Sequence, residues 1–399
     1  MIFLNKILES LYNDNYKFVE KVLEPSPIAR KYLDYQNSHL FYVPVLKKIP
    51  TKYSEEDINS YMCNLYSSNL LLRCKYINNK FFMYKVKNVE FIEISVPSNE
   101  TQTSFFSRII NSIDFKDMME KGFLHFFIIV HGNDGKYLFG MLHHAIYDGD
   151  YQFFSEKNEE IANTDIKGYL DISKKYFVDY YTCKPSQVNF EDYEKNKFIL
   201  INKYKDNENG FIQIKKYYSF DFKNIAMSLE LFWTIKIYKV LSEFFSEDLI
   251  EEIPISLIAG RSAIESKRYK GIVDFHDEYI YSFKRGLDKA AISDIYEHEK
   301  EIPYLNSLRY NNNKDSKTRK QELEPIILLI IFNNEENDNH QELKKAILPN
   351  KKNYVLTFKI GISRDLKTID ITYRYSCKLM NKIDFLFELM TSKYIVEKE

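Results

Sequence analysis

Residues 123–150 read FLHFFIIVHGNDGKYLFGMLHHAIYDGD. Leu124–Val130 is a continuous apolar run rich in β-branched and aromatic residues, Asn133-Asp134-Gly135 is a strong turn signal, and Tyr137–Leu142 is a second run of the first kind. The spacing predicts a hairpin whose second strand delivers His143-His144. Asp148 follows His144 by four residues and Gly149 comes next, a placement suited to a bend in which glycine lets backbone approach closely. Successive side chains on an extended backbone point to opposite faces. A strand running through both imidazoles would therefore turn one to a cavity and the other to the packing behind it. A neutral imidazole, with an unperturbed pKa of about 6.5, is a competent proton acceptor at cellular pH, and a hydroxyl or amine held against it becomes a nucleophile. From this composition HHxxxDG arises by chance in roughly a few chains in ten thousand.

Working outward, residues 5–24 alternate at helical spacing and Pro25 and Pro27 stop the pattern, so a helix and then a turn are expected. His39–Leu46 reads as a strand. Ser54-Glu-Glu-Asp starts a helix running to about Ser68, with Ile58, Met62, Leu65 and Tyr66 on one face. The next segment is two short strands around Asn78-Asn79. In the second half, Ser228–Phe245 is a long apolar helix leading into a buried strand, Ile253–Ile258, that ends in Gly260-Arg261. Strands at Ile326–Phe332, Tyr354–Ile360 and Ile369–Tyr375 follow, and Lys382–Tyr394 reads as a closing helix. Residues 181–217 turn polar and Lys/Asn-rich, which places the crossover between two α/β domains, 1–180 and 181–399. Residues 310–324 and 333–345 are too polar to offset the entropy of ordering and read as exposed loops.

The chain of 399 residues carries 56 Lys and Arg against 57 Asp and Glu, a net charge of −1, and is 45% hydrophobic. That is a globular composition, with length for about two domains. The near-zero charge gives no global field toward nucleic acid or an acidic membrane, so no nucleic-acid partner is expected. Four cysteines at irregular gaps, without CxxC, fit a reducing compartment better than a disulfide framework or a zinc ribbon. No run reaches the ~18 to 20 apolar residues of a membrane helix, and Glu9, Asn13 and Asp14 interrupt the N-terminal apolar stretch too soon for a signal peptide. A cytoplasmic monomer is expected. Adjacent histidines on opposite strand faces converge poorly on one ion, and no HExxH or carboxylate cluster supports them, so no metal is expected. No GxSxG elbow occurs, and Cys183 sits in polar text without an adjacent base.

His143-His144-Ala145-Ile146-Tyr147-Asp148-Gly149, following a hairpin strand in the first half of the chain, resembles the HHxxxDG signature of the CoA-dependent acyltransferase superfamily. Its members include chloramphenicol acetyltransferases, plant BAHD acyltransferases, fungal alcohol acetyltransferases and condensation domains of nonribosomal peptide synthetases. The early helix, strand and hairpin order, the apolar helix leading into Ile253–Arg261, and the strand Ile326–Asn334 follow the family layout over most of the chain. The DFGWG motif of the plant branch is absent, and Gly260-Arg261 after its strand fits the fungal alcohol acetyltransferase branch best.

The resemblance implies two chloramphenicol acetyltransferase-like lobes, each a mixed β-sheet with helices, with a tunnel between them. Acyl-CoA, acetyl-CoA above all, would enter one mouth and a small-molecule alcohol or amine the other. His144 would be the general base, with no covalent acyl-enzyme, while His143 packs and hydrogen-bonds. Asp148 would point away from the tunnel to pair with Arg261, and Gly149 would let the following chain pack closely. Lys267, Arg268 and Lys270 are candidates to meet the CoA phosphates, and Asn333 and Asn334 to donate to the oxyanion. Two further readings keep the fold: a non-catalytic binding or scaffold protein, and a carrier-protein-dependent condensation enzyme.

Overall fold

The computed structural model describes residues 19–34, 38–85, 92–147, 153–154, 170–171, 185–204, 209–217, 227–259, 277–301, 327–334, 355–363 and 368–389. These divide into two compact units, every described residue up to 171 lying in the first and every one from 185 in the second.

The hairpin at the heart of the first unit joins β6 (His125–Gly132) to β7 (Gly135–His143) through Asn133-Asp134. Asp134 holds the turn by accepting from Lys48 Nζ at 2.8 Å and Tyr137 Oη at 2.7 Å. β7 is antiparallel to β6 on one side and to β2 (Tyr42–Lys48) on the other, and β5 (Ile92–Ser95) runs parallel to β6, giving the order β2-β7-β6-β5.

Both faces of this sheet are covered, which is why Phe126–Val130 of β6 reads as an apolar run without alternation. On one face Phe106 and Ile109 of α3 (Gln102–Ser112) and Met118 of α4 (Phe115–Glu120) join Phe126, Ile128, Phe139 and Met141 in a single core. On the other lies α2 (Glu55–Ser68), started by a reciprocal capping box between Ser54 and Asp57, with the expected residues Ile58, Met62, Leu65 and Tyr66 buried. A Cβ at Gly140 would lie 2.5 Å from the ring of Phe127, so only glycine admits that ring across the strand pair.

A second hairpin, β3 (Cys74–Ile77) and β4 (Lys80–Tyr84), turns on Asn78 and Asn79, at φ 50° and 61°. Both lie in the left-handed region that a two-residue hairpin loop demands and asparagine tolerates. The N-terminal expectation needs correction. Val19–Leu23 is not helical but forms β1, antiparallel to β4 in a sheet ordered β1-β4-β3. The edge of β4 satisfies this backbone, and non-local pairing overrides a short helical spacing that periodicity alone cannot separate from strand. Residues 5–18 lie outside the described part. Nor does Pro27 stop a helix: it opens α1 (Pro27–Leu33), capped by Ser26 Oγ accepting from Ala29 N–H at 3.0 Å.

The second unit is built on a six-stranded mixed sheet in the order β10-β9-β11-β12-β13-β8. β9 (Glu252–Ala259), β11 (Ile327–Asn334) and β12 (Leu356–Ser363) are parallel. β10 (Asp277–Lys284), β13 (Thr368–Ser376) and β8 (Asn209–Tyr217) extend the edges antiparallel. Ile255, Leu257, Leu329, Phe358 and Ile360 face a core shared with Trp233, Ile237 and Leu241 of α6 (Leu229–Phe244), the helix expected there and capped by Ser228. α7 (Lys289–Glu301) adds Ile292 and Tyr296.

The polar stretch 181–217 is more ordered than its composition suggests. It holds α5 (Phe190–Tyr204) and β8, which belong to the second unit. α5 buries Tyr193, Leu200 and Tyr204, and Asp248 accepts from both Lys203 Nζ (2.6 Å) and Tyr204 Oη (2.9 Å). So few apolar residues in Lys/Asn-rich text conceal the helical face. Within the expected closing helix, a 3₁₀ turn, Cys377–Lys382, leads into α8 (Ile383–Glu388), and residues 390–399 lie outside the described part. The same holds for the expected loop 310–324 and for residues 335–345, while 333 and 334 close β11. Among the described residues no helix is long and apolar enough to cross a membrane.

The α6 terminus shows how the second unit is fastened. The Arg285 guanidinium, at the end of β10, donates to the carbonyls of Ile250 (2.8 Å), Ser242 (3.2 Å) and Phe245. It thereby covers C-terminal carbonyls that have no partner within the helix. Arg285→Ala should lower unfolding free energy by about 2 to 3 kcal/mol in a urea titration. Arg285→Lys should recover only part of this, because one ammonium cannot span the carbonyls the planar fork reaches. Equal stability of the parent and the alanine variant would contradict the role.

Candidate functional site

The strand β7 ends at His143, so the two histidines are separated by a turn rather than by the alternation of an extended chain. Pairing with Tyr42 puts His143 on the face covered by α3 and α4, fully buried. Its N–H donates to the Leu124 carbonyl at 2.7 Å, and its ring meets Tyr42 edge-on at 5.1 Å. Tyr42 Oη donates to the Phe123 carbonyl, and burial pushes the phenol well above its ordinary pKa. The Ala145 N–H donates to His143 Nδ1 at 3.1 Å, which assigns the proton of the neutral ring to Nε2.

His144 is the first residue of the turn and is half-buried. Its N–H donates to the Phe41 carbonyl at 2.9 Å, one step beyond the last β2–β7 pair, and Ile146 N–H closes the turn onto the His143 carbonyl at 2.9 Å. The backbone is thus fixed on both sides of the imidazole. The ring stacks on Tyr32 of α1, centroids 5.1 Å apart and planes 16° from parallel, and Phe41 packs edge-on against the same tyrosine at 5.1 Å.

Past the motif, the chain is fastened again. Phe154 is buried, stacks on Tyr61 of α2 at 4.1 Å and donates its N–H to Tyr61 Oη at 3.0 Å. Its φ of 55° is rare for a bulky residue, and those two contacts hold it there. Asp148 and Gly149 lie between these anchors, outside the described residues, as do Arg261, Lys267, Arg268, Lys270 and Cys183. Asn333 and Asn334 supply backbone at the end of β11, opposite Ile362 and Ser363, and their side chains lie outside the described part. Among the described residues no group of three His, Cys, Asp or Glu could hold a metal ion.

Sequence reasoning missed His125, one strand away. It is buried on the α2 face, with Nε2 3.0 Å from Tyr66 Oη, and its signal is a single polar residue inside the run FLHFF. Nothing in the sequence pointed to Tyr32, which reaches His144 only through tertiary packing.

No protein-family model matches the chain, and no curated protein matches it by sequence. Solved structures do match. The starter condensation domain of the rhizomide synthetase superposes with a TM-score of 0.61 at 9% identity, covering 93% of this chain and 96% of that one. The chain has the fold of condensation domains. The epimerization domain from the third module of tyrocidine synthetase B gives a TM-score of 0.60 at 11% identity, covering 94% and 96%. The X-domain from teicoplanin biosynthesis gives 0.58 at 8%, covering 95% and 97%. The condensation-domain fold accounts for two α/β units, each with its own mixed sheet, and identities this low carry the fold alone.

Burial lowers the His125 pKa from 6.5 to about 3. The folded protein therefore keeps this ring neutral while the unfolded chain protonates it below about pH 6.5. Its stabilisation is complete above that pH and is lost as pH falls toward 3, by about 1.4 kcal/mol per unit. In urea titrations between pH 6.5 and 4.5, the stability of a His125→Gln variant should fall less steeply with acid than that of the parent. Parallel curves would refute this.

Proposed function

We propose that this protein is an acyltransferase-type enzyme in which His144 acts as general base on an alcohol or amine. The observation that carries the reading is the position of the HHxxxDG histidines, at the end of the central strand of a unit with the condensation-domain fold. The second imidazole is held by its backbone and left half-exposed. His144 takes the acceptor's proton as its oxygen or nitrogen attacks a thioester carbonyl. The tetrahedral oxyanion then collapses, the C–S bond breaks, and the imidazolium returns the proton to the departing thiolate. The products are an ester or amide and a free thiol, with no covalent acyl-enzyme.

Acetyl-CoA or another short acyl-CoA is the donor proposed first, as in the fungal alcohol acetyltransferase branch that Gly260-Arg261 resembles. Lys267, Arg268 and Lys270 are then proposed to meet its phosphates, and Asn333 and Asn334 to donate to the oxyanion. The solved structures favour a second donor: they include a starter condensation domain and an epimerization domain of peptide synthetases, so a carrier-protein thioester is the alternative. A scaffold role is the third reading, supported by a complex of the teicoplanin X-domain with OxyB on the same fold.

Purified protein given acetyl-CoA and a panel of alcohols and amines should release thiol, and His144→Ala should slow release by about 10²- to 10⁴-fold without loss of fold. Unchanged turnover in that variant sinks the base role. Turnover with a phosphopantetheinylated carrier but not with free acyl-CoA selects the second donor. For the pair proposed between Asp148 and Arg261, Asp148→Ala should cost about 3 to 5 kcal/mol, because it strands a buried arginine. A melting temperature equal to the parent's would contradict a bracing role.

A further inference from the structure

Three aromatic contacts surround the point where β7 ends, and one of them is made by the His144 ring itself. Tyr32 lies flat on its imidazole, at 5.1 Å and 16°. Phe41 meets Tyr32 edge-on, at 68°, and also meets the His143 ring at 80°. Tyr32 itself is 7% exposed on α1, whose N-terminus is capped by Ser26 and opened by Pro27, so the platform is a packed ring on a fixed helix. An imidazole made to accept a proton becomes a cation, and the π face of an aromatic ring attracts a cation stacked on it.

We infer that Tyr32 is a positioning residue for His144, holding the plane of the imidazole and supplying the π face that favours the imidazolium formed during proton abstraction. The inference rests on the reading of His144 as base. The other titratable groups on the surrounding elements are few among the described residues. Arg30 shares α1 with Tyr32 and Asp34 is its C-cap, Arg30 binding Glu24 and Asp34 interacting with Arg30 and Tyr76; His39 lies in the 3₁₀ turn Ser38–Phe41, and His143 precedes the ring.

The test is an NMR titration of His144 in full-length protein with labelled histidine, assigned by its disappearance in His144→Ala. Phenylalanine and increasingly fluorinated phenylalanines are placed at position 32, because fluorination drains the π face while keeping ring shape. Tyr32→Phe should hold the His144 pKa near the parent value, and each fluorine should lower it, by roughly 0.5 unit or more across the series. The conventional variant Tyr32→Leu should remove the ring-current displacement of the His144 ring protons. It should also lower kcat for thiol release by about tenfold with KM little changed, and Tyr32→Phe should restore kcat. A flat pKa across the fluorinated series, with His144→Ala inactive, overturns the role of Tyr32 and leaves the base standing. Full turnover in His144→Ala overturns the base, and the inferred role falls with it.

Discussion

The seating of β7 between β2 and β6 is the constraint on which the first unit depends. Its ladder is antiparallel on both sides and continues one residue past the strand, so that the amides of His143 and His144 are taken by Leu124 on one flank and Phe41 on the other. A strand held at only one edge would leave its last residue free to fray. Here the final pair of peptide groups is fixed, and the direction of both imidazoles follows from where the strand stops.

The covering of both sheet faces makes that stop rigid. α3 and α4 close one side and α2 the other, and each face buries a histidine: His143 among aromatic rings, His125 against Tyr66. Neutral, hydrogen-bonded imidazoles can sit in such a core, whereas charged ones cannot without a partner. The same physics that makes His125 an acid-sensitive element separates it from His144, which sits where the sheet gives way to a half-exposed turn. Position relative to the end of the strand, more than residue type, divides the buried His125 and His143 from the half-exposed His144.

The second unit shares the construction but uses other fasteners. Its helices are tied down by polar groups: Arg285 on the end of α6, Asp248 on Lys203 and Tyr204 of α5, and Glu299 of α7 accepting from Ser186 and the Gln187 amide. These ties lie far apart in sequence, from 35 to 113 residues for Arg285–Ile250 and Glu299–Ser186, and no local pattern announces them.

Much of this was legible in the chain itself where local rules suffice. Asn78-Asn79 and Asn133-Asp134-Gly135 specify tight turns because they tolerate the backbone those turns require, Ser54 and Ser228 mark helix starts because their hydroxyls satisfy amides the helix cannot, and the β6, β9 and β11 runs are apolar enough to demand burial on both sides. The histidine pair and the following Asp-Gly were visible for the same reason, being contiguous. Tertiary structure decided the rest. It made residues 19–23 a strand by offering the edge of β4, and 190–204 a helix by giving Tyr193, Leu200 and Tyr204 a sheet to cover. It ended β7 at His143, and it laid Tyr32 against His144. Each of these depends on a partner distant in sequence, and pairing energy between remote segments leaves no period or spacing in either one to be read.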